Sequence, residues 1–359
     1  MIVKCIELDN YRNYQKERVE FSDGLNVIVG SNAQGKTNLL EAIYMCSIGK
    51  SIRAGKERQV INFNADKAKI KLNIQSKFSK SIIEVVLSKS LKKEVRINKI
   101  PIKKIGELMG ELKAVFFSPD ELKLVKESPE DRRRFMDISL SQMSKQYFYL
   151  LGKYEKVLAN RNKLLKQELN KETIKETIDI WNEQLSTIGS KIILQRIKFL
   201  ENLAPYADLA HKYLTEEKES LKLEYVGFKG ETEEEIKQKF LKELEKNIDK
   251  DIKICYTSAG PHRDDIKVVL NDIDVRTYGS QGQQRTAALS LKLAELEIIE
   301  RQTGEKPILL LDDVLSELDS KRKKRLIAFS KKTQTFLTCT DFDFSADKFI
   351  VVENGKIKE

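Results

Sequence analysis

The chain has 359 residues, enough for a large core split between two lobes, and its 65 Lys and Arg against 55 Asp and Glu leave a formal charge of +10 that favours a polyanionic partner. Four scattered cysteines (Cys5, Cys46, Cys255, Cys339) without a C-x-x-C argue against a disulfide framework or a zinc site, and two histidines leave almost no material for zinc catalysis or a Ser-His-Asp triad. Charges interrupt any signal-peptide core near Met1 and no run of 18 apolar residues occurs, so the expected compartment is the cytoplasm.

In chain order, strands are expected over Ile2 to Leu8, Val19 to Phe21 and Leu25 to Val29. The third runs directly into Gly30-Ser31-Asn32-Ala33-Gln34-Gly35-Lys36-Thr37, a complete G-x-x-x-x-G-K-[ST] loop, and Asn38 to Met45 follows with apolar residues at helical spacing. A strand, glycines and a helix N-terminus aim several N–H groups at one volume suited to a polyphosphate. Lys36 would reach the β- and γ-phosphates of ATP or GTP, and the Thr37 hydroxyl would hold Mg²⁺. Gly49-Lys50-Ser51 repeats the end of this motif but has Tyr44 where its first glycine would stand, so it is a decoy.

Short strands over Lys69 to Ile74, Ile82 to Leu87 and Glu94 to Ile97, separated by polar turns, predict an antiparallel meander. Ser118-Pro-Asp-Glu121 and Ser128-Pro-Glu-Asp131 are two helix starts, each with serine at the cap and proline at the first position. Ile174, Ile178, Trp181, Leu185, Ile188 and Ile192 repeat at the spacing of a helix–helix seam, whose partner is expected near Tyr147 to Leu165. Thr232 to Glu235 opens a further helix burying Ile236, Phe240, Leu241, Leu244 and Ile248. Strands are then expected over Ile252 to Tyr256 and Ile266 to Leu270, with an Asn271-Asp272 turn into Ile273 to Val275, and a helix from Gln283 to Arg301.

Ile308 to Leu311 is apolar throughout, as in a parallel strand buried on both faces, and ends in Asp312 and Asp313. Asp312 would bind the Mg²⁺ through water, and Asp313 would orient or deprotonate the water attacking the γ-phosphate. Upstream, Ser280-Gln-Gly282-Gln283-Gln-Arg285 opens a helix and offers a hydroxyl, a glycine N–H and a helix N-terminus to a second phosphate. It resembles the signature motif of ABC-type ATPases, which grips the γ-phosphate held by an opposing head. Ser316 to Asp319 looks like the D-loop of the same seam, and Thr338-Cys-Thr-Asp341 stands where many ABC proteins carry a histidine.

Across nearly the whole chain, Leu8 to Tyr14, Gly30 to Tyr44, Phe116 to Leu122, Ser128 to Asp137, Gly260 to Asp265, Ser280 to Glu297 and Ile308 to Asp319 resemble, in order, the RecF family of bacterial recombination-mediator ATPases. The resemblance implies an α/β ABC-type ATPase head, related to SMC heads but lacking their long arms, from residues 1–115 and 252–359, with a mainly helical lobe, 116–251, inserted. It implies an ATP-dependent homodimer on duplex DNA or a single-strand/duplex junction, slow hydrolysis, and RecR and RecO as partners in placing RecA at gaps. Carried over by residue, Gly30, Gly35, Lys36, Thr37 and Asp312 would bind nucleotide or Mg²⁺, while Ser280, Gly282 and Gln283 would make the contact across the dimer. Arg12 and Asn13 would lie beside adenine or phosphate, and Asp120 near the lobe-connecting loop and the metal. Asp313 stands where most ABC ATPases have glutamate; its shorter reach predicts slow turnover. Lys92-Lys93, Lys103-Lys104, Arg132 to Arg134 and Lys321 to Arg325 are the candidate DNA contacts. The rival readings are an ABC transporter ATPase subunit, another SMC-like chromosome-maintenance ATPase, and a scaffold retaining the ATP fold.

Overall fold

The first sheet follows from period-two burial. In the computed structural model, which describes residues 1–77, 79–167 and 171–358, the chain opens with β1 (Ile2–Tyr11), β2 (Tyr14–Glu20), β3 (Leu25–Val29), α1 (Lys36–Ile48), β4 (Lys67–Gln75), β5 (Lys80–Ser88), β6 (Glu94–Ile97) and β7 (Ile100–Pro101). Ala68, Ile70, Leu72 and Ile74 of β4 point inward while lysines occupy the other face. Six strands pair antiparallel in the order β2-β1-β4-β5-β6-β7, the expected meander with β1 and β2 added at its side.

The chain continues through β8 (Ala114–Phe117), α2 (Lys123–Lys126), α3 (Pro129–Met143), α4 (Lys145–Leu165), α5 (Lys171–Thr215), β9 (Leu221–Val226), α6 (Glu233–Lys246) and α7 (Ile248–Ile254). It closes with β10 (Asp265–Leu270), β11 (Ile273–Asp274), α8 (Val275–Tyr278), α9 (Gln281–Thr303), β12 (Ile308–Asp312), α10 (Ser320–Ser330), β13 (Thr335–Cys339), β14 (Lys348–Glu353) and β15 (Lys356–Lys358). The central sheet runs β15-β14-β3-β13-β12-β8, parallel except for β15. Every residue of β12 and β13 is buried, which is why β12 reads as an apolar run without alternation up to Asp312. α1 is buried on nearly all sides because it lies between the two large sheets, and α9 is buried likewise between β8 and the long α5.

α5 spans 45 residues and packs along α4 through the predicted seam, with Ile178, Leu185 and Ile192 fully buried. A third sheet, β11-β10-β9, lies beside it, and β9 and β10 fall on either side of the expected boundary at residues 251 and 252. Ser118 opens only a 3₁₀ turn and the single turn of α2, whereas Ser128 starts α3 as expected. The strand expected over Ile252 to Tyr256 is instead the end of α7: Asp251 is drawn into a fully buried ion pair with Arg161 at 2.8 Å, and that tertiary contact overrides the local alternation. β8, β9 and β14 are strands the sequence reading did not place.

The turn Gly260 to Asp265, for which the sequence offered no role, is the hub of a buried polar network. Gly260 has φ of 129°, and a Cβ there would sit 2.5 Å from the Tyr154 hydroxyl. Arg196 of α5 donates to the Pro261 carbonyl at 2.6 Å, to Asp264 at 2.9 Å and to Asp137 of α3 at 2.8 Å. Tyr225 of β9 donates to Asp264, and Arg132 of α3 pairs with Asp265. Burial pushes the Asp264 carboxyl up against the pull of Arg196. Helices α3, α4 and α5 and the small sheet are thereby tied at one point.

Candidate nucleotide site

The end of β3 and the start of α1 form a tight loop around Gly30 to Thr37. Gly30 has φ of 159° and a Cβ would lie 2.3 Å from the Val352 carbonyl oxygen; Gly35 has φ of 122° and a Cβ would lie 2.7 Å from Asn13 Nδ2. Only glycine fits either place. The loop is braced from outside: Asn13 Nδ2 donates to the Gln34 carbonyl at 2.7 Å, Tyr14 Oη to the Gly35 carbonyl at 3.0 Å, and the Gly355 N–H to Gln34 at 3.0 Å. Ser31, Asn32 and Ala33 are exposed along its rim. Lys36 is buried, its ammonium donating back to the carbonyls of Gly30 and Ser31.

Thr37 Oγ1 donates to Asp312 Oδ1 at 2.8 Å, joining the loop to the end of β12. Thr338 of β13 donates to the same oxygen at 2.8 Å and accepts the Asp313 N–H at 2.9 Å. One hydroxyl thus positions both carboxylate residues, in the region where no histidine was found. Burial pushes the Asp312 carboxyl above the ordinary range, opposed by its bonds from Thr338 and Thr37 and by the Arg53 charge. Asp313 adopts φ of 51°, a left-handed conformation that aspartate tolerates better than most residues.

Thr37, Asp312 and Asp313 line one cleft of about 570 Å³, together with Tyr44, Arg53, Asp120, Glu121, Lys123, Arg134 and Lys292. Asp120 is 71 % exposed and pairs with Lys123 at 3.4 Å. Lys292 is buried on α9, 3.3 Å from Glu121 and 3.2 Å from Glu295. Burial acts to lower its pKa, but those two carboxylates raise it, so the ammonium stays charged. A hydroxyl beside a carboxylate is a hard-oxygen donor set that suits Mg²⁺.

Other expected residues lie outside the cleft. Arg12 is held by Glu41, with contacts of 2.9 and 3.1 Å, and Asn13 braces the back of the loop. Ser280 and Gly282 are exposed at the start of α9, where Ser280 accepts the Gln283 N–H at 3.3 Å and Gln283 Oε1 accepts the Ser280 N–H at 2.9 Å. Gln283 also donates to Glu219 at 2.8 Å, and Glu219 bonds His211 at 3.0 Å. Gly49 is the left-handed cap of α1 and Ser51 donates to Glu41, so the decoy has a local structural role. Arg53, Thr338 and Glu219 were not singled out as site residues; only Lys292 left a signal, the one charge between Ala287 and Ala294 in a mainly apolar stretch.

The RecF/RecN/SMC N terminal domain model matches residues 2–351. A DNA replication and repair protein RecF from Alkaliphilus oremlandii is 48 % identical over 95 % of this chain and 93 % of its own length. The chain belongs to the RecF family. Another RecF, from Clostridium perfringens, is 46 % identical over 96 % of this chain and 94 % of its own length. A solved structure of "the recombination mediator protein RecF-ATP in RecFOR pathway" superposes with a TM-score of 0.93 at 38 % identity, covering 99 % of this chain and 97 % of that one. An Smc head bound to a ScpA domain shares the fold, at a TM-score of 0.61 and 18 % identity over 100 % of this chain and 96 % of that one. The architecture is therefore that of an ABC-type ATPase head.

Proposed function

We propose that the chain is an ATP-dependent, DNA-engaging switch of recombinational repair, in which two copies clasp ATP between them and slow hydrolysis releases them. One observation carries this reading. Thr37 at the end of the phosphate loop, Asp312 and Asp313 line one cleft, whereas Ser280 and Gly282 present an exposed helix N-terminus that lines no part of it. The phosphate such a surface would bind belongs to another head.

In this scheme loop N–H groups receive the phosphates, and Lys36 turns from the Gly30 and Ser31 carbonyls toward the β- and γ-phosphates. Thr37 and Asp312 would hold Mg²⁺, whose charge would offset that of the phosphates. Asp313 orients the attacking water and takes its proton. Ser280, Gly282 and Gln283 grip the partner's γ-phosphate, with Glu219 fixing Gln283 from behind. Loss of the γ-phosphate removes the charge they grip, and the pair loosens. Residues 1–115 and 252–359 form the ATPase lobe and 116–251 the inserted lobe. DNA, with RecR and RecO as family partners in the cytoplasm, completes the assignment.

Sedimentation with ATP, ADP or neither, with and without duplex or gapped DNA, tests it. A dimer that forms with ATP and assembles on DNA is expected; a monomer under every condition, or turnover and assembly indifferent to DNA, overturns it.

A further inference from the structure

Phe63 is the most exposed large apolar residue described, at 97 %, and Leu91 stands 65 % exposed. The two come from different segments of the first sheet's margin that are bonded together. Lys89 N donates to the Asp66 carbonyl at 3.0 Å, and Lys89 Nζ donates to the Phe63 carbonyl at 3.2 Å. The Phe63 loop is also fixed from below, since Asn62 N donates to the Asn10 carbonyl at 2.8 Å and Asn62 Nδ2 to the Arg12 carbonyl at 2.8 Å. An aromatic ring in full contact with water on a loop held by its own backbone bonds is pre-organised for a partner.

The charge around it identifies the partner's chemistry. Lys56, Arg58, Lys67, Lys89 and Lys92 are all exposed in these two segments, and none has a carboxylate partner among the described residues. Of the nearby acids, Glu57 is taken by Lys93, leaving Asp66. A protein-binding patch is depleted in lysine at its core; an exposed ring with unpaired lysines on its own segment and on the segment bonded to it instead matches a surface for nucleic acid. We propose that the Phe63 loop and the adjoining Lys89 to Lys92 turn contact DNA, the lysines holding phosphates and the Phe63 ring stacking on an unpaired base. The surface joins the nucleotide site through residues 53–61: Arg53 lines the ATP cleft, and the Val60 carbonyl accepts the Arg12 N–H at 2.7 Å. The proposal rests on the DNA-binding reading above.

Fluorescence anisotropy of the full chain with ATP, on blunt and gapped duplexes carrying 2-aminopurine in the gap, tests it, with nucleotide affinity as the folding control. Phe63→Ala should weaken binding to the gapped duplex about 5- to 100-fold, affect the blunt duplex little, and abolish the protein-induced change in 2-aminopurine emission. Lys89→Ala with Lys92→Ala should weaken both DNAs and flatten the slope of log affinity against log salt by about 2 on duplex. If the wild type binds DNA and both variants match it, the surface is wrong while the DNA reading stands. Loss with the lysine pair but not with Phe63→Ala overturns the stacking role and assigns the ring to a protein contact. A wild type that binds neither DNA overturns both.

Discussion

At the scale of single residues, the site depends on a few side chains whose substitutes cannot copy their chemistry. Lys36 is the one ammonium inside the loop, so Lys36→Ala should lower ATP affinity at least about 100-fold in a fluorescent-nucleotide titration, the loss of a desolvated charge contact. In the proposed scheme Asp313 activates water, and Asp313→Asn keeps its size while removing the base. Single-turnover hydrolysis should drop by two or more orders of magnitude with ATP binding unchanged, and the ATP dimer should persist on DNA. Wild-type turnover in that variant would remove Asp313 from the mechanism. The candidate basic clusters also separate at this scale. Arg132 is buried against Asp265 and Lys93 is taken by Glu57, while Lys321 and Arg325 share Glu216. In the same runs Lys92, Lys103, Lys104, Arg134, Lys323 and Lys324 have no carboxylate partner among the described residues and stay free for phosphate contact.

At the scale of elements, the Gly260 to Asp265 turn makes the helical lobe and the small sheet one unit, and its protonation has a definite sign. His262 Nδ1 lies 2.8 Å from the Tyr154 hydroxyl and Nε2 lies 3.0 Å from the Thr257 carbonyl, so Nε2 carries the proton and Nδ1 accepts from tyrosine. Burial, with the charges of Arg263, Arg133 and Arg161, pushes its pKa down to about 4 although the Thr257 carbonyl acts to raise it. Below about 6.5 the unfolded chain binds a proton that the fold refuses, so stability falls as pH drops from about 6.5 to about 4. From this group the loss between pH 7.5 and 5 is about 2 kcal/mol. Urea unfolding at the two pH values measures it, and His262→Gln should shrink the difference by that amount; an unchanged difference would mean that the imidazole titrates alike in the folded and unfolded chain.

At the scale of the whole molecule, two sheets enclose α1 and the helical lobe packs on α9, so the helix that begins with Ser280 also carries Lys292 into the ATP cleft. One helix thus joins the cleft to the exposed surface at Ser280 and Gly282 of the same chain. Ser280→Arg places a bulky cation on that surface without touching the loop. It should leave ATP affinity intact and abolish the ATP-dependent dimer in analytical ultracentrifugation, with turnover falling by at least tenfold; dimers that survive would refute contact in trans.

The sequence by itself determined the pieces whose chemistry is local. The phosphate loop needs neighbouring glycines, lysine and threonine, the β12 strand needs an unbroken apolar run, and α9 needs its capping serine, and each is legible within a few residues. Tertiary structure decided what depends on partners distant in the chain. It brought Thr338 to Asp312 and Asp313, set Glu219 behind Gln283, turned Ile252 into a helix through the buried Asp251–Arg161 pair, and made a hub of Gly260 to Asp265. The physical reason is range: propensity and periodicity act over one or two turns, whereas a buried charge must find its counter-charge wherever the fold delivers it.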